Sequence, residues 1–167
     1  MYFTRKARFV SGDHTTEAPS AITYLSVVSR NSVRLDFMIA ALNCLDITSC
    51  DLENAYLNAT NREKIWFEGG IECGEDKDKV LVVVQDLYGL NSAGSAWKAV
   101  LAEALVQLGF KLTRADPDVW IRAAVCLDGG NYYEIIFVYV YDILALSHKA
   151  TEVITEITNS TRQRKEV

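Results

Sequence analysis

The chain has 167 residues, 50% of them hydrophobic, a mean hydropathy of +0.06 and a net charge of −5 with a pI near 5.1. That is enough apolar side chain for the core of one domain, and no apolar run nears the roughly 20 residues of a membrane span. The acidic balance counts against tight binding of a polyanion, because such affinity grows with the phosphates neutralised by Lys and Arg.

The N-terminus Met-Tyr-Phe-Thr-Arg-Lys is no signal peptide, so a soluble intracellular protein that binds no membrane is expected, with cytoplasm and nucleus not distinguished. The basic residues bunch at the two ends, Arg5, Lys6 and Arg8, then Arg162, Arg164 and Lys165. Each bunch reads either as a local phosphate contact or as a solvated tail. Cys44, Cys50, Cys73 and Cys126 have no CxxC pairing and no histidine at zinc spacing, so free thiols in a reducing compartment are expected. His14 and His148 stand alone and read as surface residues.

In chain order, the alternation in 5–10 predicts a strand, Gly12-Asp13 a turn and 15–19 a polar loop. From Ile22 to Leu45 apolar residues recur at helical spacing, with Val33, Phe37, Ala40 and Ala41 on one face and Leu35, Ile39 and Leu42 broadening it. This predicts a well-buried helix, open to interruption at Arg30-Asn31-Ser32 with Asn31 or Ser32 as a new N-cap. A strand is expected over 45–51, then a turn through 54–58, a short strand at 64–67 closed by Gly69-Gly70, and an acidic surface turn at 72–78. The run Lys79 to Val84 is apolar enough to be central in a sheet.

Ser92 to Leu108 reads as a helix with Ala96, Val100, Ala104 and Leu108 four apart, stopped by Gly109. A strand over 119–125, a turn at Asp128-Gly129-Gly130-Asn131 and strands over 132–139 and 143–146 follow. Residues 149–164 form a modest polar helix without a good core face at its end. The fold class is α+β, a mainly antiparallel sheet with helices packed on one face.

The stretch Phe137-Val138-Tyr139-Val140-Tyr141-Asp142-Ile143-Leu144-Ala145-Leu146 consists of two β-branched runs with a polar break, the pattern of a hairpin whose tip is polar. By itself this is a buried hairpin with one tip carboxylate. An aspartate at a strand end, Asp51, facing a carboxylate at such a tip, Asp142, is also a way to hold Mg²⁺ for phosphoryl transfer. Two-metal chemistry needs acidic groups that keep two ions roughly 3.5–4 Å apart, and Mg²⁺ takes only one or two protein carboxylates beside substrate phosphates.

Three ordered stretches, Cys50-Asp51-Leu52-Glu53-Asn54-Ala55-Tyr56-Leu57, Leu87-Tyr88-Gly89-Leu90-Asn91-Ser92 and the hairpin, together resemble reverse transcriptases of copia-type retrotransposons. Further matches are Lys6-Ala7-Arg8, Ser26-Val27-Val28 onward, Ala96-Trp97, Leu108-Gly109-Phe110 and Asp116-Pro117-Asp118-Val119-Trp120, so the resemblance covers nearly the whole chain.

It implies a fingers and palm fold: about 1–45 and 62–90 fingers-like, about 46–61 and 91–148 palm-like, and 149–167 a C-terminal helix and tail, with thumb and RNase H absent. It implies an RNA-directed DNA polymerase using Mg²⁺ or Mn²⁺ on an RNA/DNA template-primer and a deoxynucleoside triphosphate. Asp51 and Asp142 would be the catalytic, metal-binding carboxylates. Lys6, Arg8, Tyr56 and Gly89 would bind the nucleotide, with the Tyr56 ring against the sugar excluding a 2′-hydroxyl. Without the motif, Tyr56 is a packed aromatic.

The departures weigh on activity. The family tip reads YVDD and this chain reads YVYD, so Tyr141 stands at a lost metal-binding aspartate. A phenol is neutral at pH 7 and a poor Mg²⁺ ligand. Asp86 and Asn91 stand around Leu87-Tyr88-Gly89-Leu90 where the family usually has alanine and lysine, weakening phosphate contacts. The resemblance therefore implies a truncated, catalytically inactive copy that binds metal and nucleic acid weakly. The alternative is a non-catalytic module holding a protein partner, or RNA, at the palm face.

Overall fold

The computed structural model describes Val10, residues 25–61 and residues 63–162. Its centre is a three-strand meander. In β5 (Val119–Val125) and β6 (Asn131–Tyr139) the strands pair from Val125↔Asn131 to Val119↔Phe137. The connection is the predicted glycine turn: Gly129 has a φ of 85°, which suits glycine, and the Gly130 N–H donates to Asp128 Oδ1 at 3.0 Å. β6 then pairs with β7 (Asp142–Ser147). β1 (Asp46–Asp51) adds to the free edge of β7, and β4 (Lys111–Leu112) to that of β5. The five-stranded sheet is antiparallel throughout, in the order β1-β7-β6-β5-β4.

Because strand side chains alternate, β6 feeds two cores. Ile136 and Val138 pack with Trp97, Leu101 and Leu105 of α2 (Ala93–Gln107) and Val153 and Ile157 of α3 (Ala150–Arg162). Ile135 and Phe137 point the other way, to Ala40 of α1 (Arg30–Leu42) and to Val119 and Leu146. The expectation of helices on one face is corrected here: α1 lies on the face opposite α2 and α3.

Five further expectations change. The predicted helix from Ile22 starts at Arg30, because Ser29 is extended (φ −71°, ψ 147°) and its Oγ accepts the Ser32 N–H at 3.1 Å. Ser29, not Asn31 or Ser32, is the cap. Nor is α1 well buried: only Ala40 is, while Leu35, Phe37, Met38, Ile39 and Leu42 are exposed. Helical spacing identifies a face but not how much of it a partner covers.

The Lys79 to Val84 run is not central in a sheet. Among the described residues its strand β3 (Val80–Val82) pairs only with β2 (Trp66–Glu68), and Val80, Val82 and Val84 are exposed. The buried stripe of α2 is Ala93, Trp97, Leu101 and Leu105, one residue on from the predicted Ala96, Val100, Ala104 and Leu108, of which only Ala104 is buried. The last helix does have a core face to its end: Val153, Ile157 and Thr161 are buried at four-residue spacing, and the Thr161 hydroxyl donates to the Ile157 carbonyl.

Two polar clusters lock the layers. On the α2/α3 face, Arg122 Nε meets Glu134 Oε2 at 2.6 Å, Nη2 meets Glu156 of α3 at 3.0 Å, and Nη1 donates to the Leu108 carbonyl at the end of α2. The guanidinium also sits 4.4 Å over the Phe110 ring, and Glu134 accepts the Ser147 hydroxyl. Beside α1, Asp116 accepts from the Ser29 N–H, the Ser32 hydroxyl and the Asp118 N–H. Burial pushes the Asp116 carboxyl up, but these hydrogen bonds outweigh it and hold it below the usual carboxylate range. All four cysteines are free, and His148 is exposed with its ring on Tyr132.

Candidate metal and nucleotide site

β1 ends on Asp51 and β7 begins on Asp142, and the antiparallel register makes them direct cross-strand partners. Asp142 also faces Tyr139 across the β6–β7 pair. Paired residues in such a ladder have Cα atoms about 4.5–5.5 Å apart and point to the same face. Asp51, Asp142 and Tyr139 therefore form one row, on the α1 side of the sheet, at its exposed end. Ninety residues lie between the two carboxylates in sequence, and strand pairing puts them together.

The turn that carries Asp142 consists of Val140 and Tyr141. Val140 has a φ of 59°, an outlier for a β-branched residue that stores about 1–3 kcal/mol. Two hydrogen bonds hold it: the fully buried Trp97 ring donates Nε1–H to the Val140 carbonyl at 3.0 Å, and the Leu52 N–H donates to the Tyr141 carbonyl at 3.0 Å. Reading the sequence placed Trp97 only as a helix residue. Its part in fixing the tip shows up only in three dimensions, since its partner is a backbone carbonyl.

The Tyr141 side chain packs with the α2/α3 core, where its ring meets Tyr56 edge-on at 6.2 Å between centroids. Tyr56 opens the 3₁₀ turn Tyr56–Asn58 just after β1 and also meets Tyr88, at 4.9 Å. Burial, then the neighbouring Tyr141 and Tyr88 phenols, push the Tyr56 hydroxyl pKa up. Three phenol rings thus pack in series, and the Tyr141 ring lies on the face of the sheet opposite the carboxylate row. Gly89 takes a φ of 91° in the turn closed by the Leu90 N–H on the Leu87 carbonyl, a conformation that favours glycine. Lys6 and Arg8 lie outside the described residues, although Val10 bridges to Tyr88 in parallel.

Asp86 is 1% exposed, with its N–H on the Ala59 carbonyl, so it is not a surface anion facing phosphates as the sequence suggested. Asn91 is exposed.

Two adjacent carboxylates can each give one oxygen to a hydrated divalent ion. Bridging two ions takes a further carboxylate, and among the described residues no three His, Cys, Asp or Glu side chains converge. The described side chains do not fit a two-ion arrangement.

Comparison with known proteins gives the family. The model of the family described as "Reverse transcriptase (RNA-dependent DNA polymerase)" matches residues 4–165, so the chain belongs to that family, as a copia-type reverse transcriptase domain. It is 28% identical over 137 residues to the Retrovirus-related Pol polyprotein from transposon RE1 of Arabidopsis thaliana, covering 78% of this chain and 9% of that protein. It is 28% identical over 120 residues to the Retrovirus-related Pol polyprotein from transposon TNT 1-94 of Nicotiana tabacum, covering 71% of this chain and 9% of that protein. No solved structure matches the chain. Among the described residues no helix is long and apolar enough to cross a membrane.

Proposed function

We propose that the chain is the fingers and palm portion of an RNA-directed DNA polymerase whose metal site has lost one ligand, so that it no longer extends a primer. The observation that carries this reading is the cross-strand pair Asp51 and Asp142 beside a tip where Tyr141 leans on Tyr56 instead of offering a carboxylate. On this reading Asp51 and Asp142 hold one hydrated Mg²⁺ or Mn²⁺ weakly, and Tyr56 and Gly89 line the nucleotide position, with Lys6 and Arg8 on the triphosphate. Residues 1–45 and 62–90 serve as fingers, and 46–61 and 91–148 as palm. RNA/DNA template-primer and deoxynucleoside triphosphates are the substrates of the ancestral activity.

The first test is primer extension on an RNA template with Mg²⁺ or Mn²⁺. No incorporation above background is expected, and template-dependent extension abolished by Asp51→Ala would overturn the inactive assignment. A second test isolates position 141 by measuring metal instead of polymerisation. Tyr141→Asp adds a third carboxylate at the tip and removes a ring packed with the α2/α3 core, so it lowers apo stability. With millimolar Mn²⁺ at fixed ionic strength the sign reverses, because a ligand of the folded state alone adds about 2.7 kcal/mol at a hundredfold excess over Kd. A variant that gains no more from Mn²⁺ than the parent in a thermal melt excludes position 141 as a lost ligand site.

A further inference from the structure

Away from the carboxylate tip, α1 and the sheet enclose a cleft of about 580 Å³. Its volume falls in the range of small-molecule sites, roughly 300–1,000 Å³. The floor is the outer face of the β5–β6 pair, Val119, Ile121 and Ile135, side chains of the second core. The wall is the face of α1 that carries Leu35, Asp36 and Ile39. Val119 and Ile135 are buried under this wall, yet Leu35 and Ile39 remain 57% and 38% exposed, so the cleft has an apolar lining that the chain only half fills.

The charge of the lining is one-sided. Among the described residues, Asp36 and Asp116 are its carboxylates, and no Lys or Arg lines it. They differ in what satisfies them. Asp116 holds three donors from Ser29, Ser32 and Asp118, so its charge is fixed in place. Asp36 is half-buried one helical turn after Ser32, and burial followed by the charge of Asp116 raises its pKa. Asp36 therefore meets the field of Asp116.

We propose that this cleft binds a small organic cation with an apolar body, its protonated amine between Asp36 and Asp116 and its hydrocarbon on Val119, Ile121 and Ile135. An ammonium there relieves the repulsion between the two carboxylates, while the body covers apolar surface now open to water. A neutral ligand gains only the second term. An anion meets two like charges. The site is separate from the Asp51–Asp142 row and does not depend on polymerase ancestry.

The test uses the full chain and three isosteric probes, naphthylmethylammonium, naphthylmethanol and naphthoate, titrated by ligand-observed NMR at moderate ionic strength. The ammonium should bind saturably and about tenfold tighter than the alcohol, the size of one charge-assisted hydrogen bond, with naphthoate weakest. Asp36→Asn should shrink the preference for the ammonium, leaving the part due to Asp116, without changing the affinity of the alcohol. Ile39→Trp should fill the cleft and remove both. Equal affinity of the parent for ammonium and alcohol overturns the proposal, even if neither variant folds. So does an ammonium preference that survives both variants, which would reflect the net negative charge alone, and so does the absence of saturable binding. Self-association abolished by Ile39→Trp would give the face to a second copy of the chain instead.

Discussion

The five-stranded sheet places two pairs of charged side chains directly across a ladder, and the pairs are opposites. At one end of the sheet Asp51 faces Asp142, like charges, both exposed and with no hydrogen bond between them that would justify the arrangement. On the neighbouring pair of strands Arg122 faces Glu134, unlike charges, with Glu134 only 5% exposed and four further groups engaged around them. A cross-strand pair of opposite charge supports a sheet, and one of like charge opposes it. The Arg122 cluster is thus explained by folding, since it joins α2, β5, β6, β7 and α3. The Asp51 pair is not, and a sheet that tolerates it does so for a reason other than stability.

The strongest way to break this contrast is to remove the cation from the buried pair. Arg122→Ala leaves the buried Glu134 charge without its cation, and a loss of about 3–5 kcal/mol is expected in urea unfolding. A loss below about 1 kcal/mol would put Arg122 in the class of exposed ion pairs and remove the distinction drawn here.

A third carboxylate sharpens the comparison, because Asp116 is buried like Glu134 but is satisfied by hydroxyl and backbone donors. Its folded pKa is depressed, so its contribution is fully present above the ordinary carboxylate range. It is lost as pH falls through the depressed value. Asp116→Asn should lower stability by about 1–3 kcal/mol at pH 7 and flatten the acid limb of the stability curve. Asp36 works in the opposite sense: its raised pKa costs stability at neutral pH, and that cost vanishes as the group protonates. Parallel acid limbs for the parent and Asp116→Asn would contradict the assignment.

The Arg122–Glu134 pair was within reach of the sequence. Once Asp128-Gly129-Gly130-Asn131 is taken as the turn, the register runs outward from Val125↔Asn131 and brings opposite charges together three residues along. The hairpin tip was legible because β-branched runs with a polar break have few other structures open to them. The neighbourhood of Asp51 and Asp142 was not: nothing local relates β1 to β7, and only resemblance to a family placed both at one site. The exposure of α1 and of Val80, Val82 and Val84 was hidden for a related reason. An apolar run records what can be buried, and whether anything arrives to bury it is decided by distant parts of the chain.

The tip offers a smaller test of how rigidly the like-charged pair is presented. Trp97→Phe keeps an aromatic body in the core but deletes the Nε1–H bond to the Val140 carbonyl. A loss of about 1 kcal/mol is expected, with faster amide exchange confined to the turn and the end of β1. Uniformly faster exchange across the sheet would mean that Trp97 acts by packing alone.

The smallest effect is the most direct test of the contrast, because it has the unusual sign. Asp51→Asn keeps the shape of the side chain and removes one of two charges held face to face at the strand ends. If the pair opposes folding, the variant gains about 0.2–1 kcal/mol in metal-free buffer. Asp142→Asn should give a similar gain, and the double variant should gain less than the two together, since the same repulsion cannot be removed twice. Both groups are exposed, so the gain should shrink as salt is raised and the Debye length falls from about 10 Å at 0.1 M to about 3 Å at 1 M. Backbone placement should be unaffected, because neither carboxylate anchors the turn. If either single variant instead loses stability at low salt, the carboxylates are held by partners that offset their repulsion, and the row at the end of the sheet is structural in the same sense as Arg122 and Glu134.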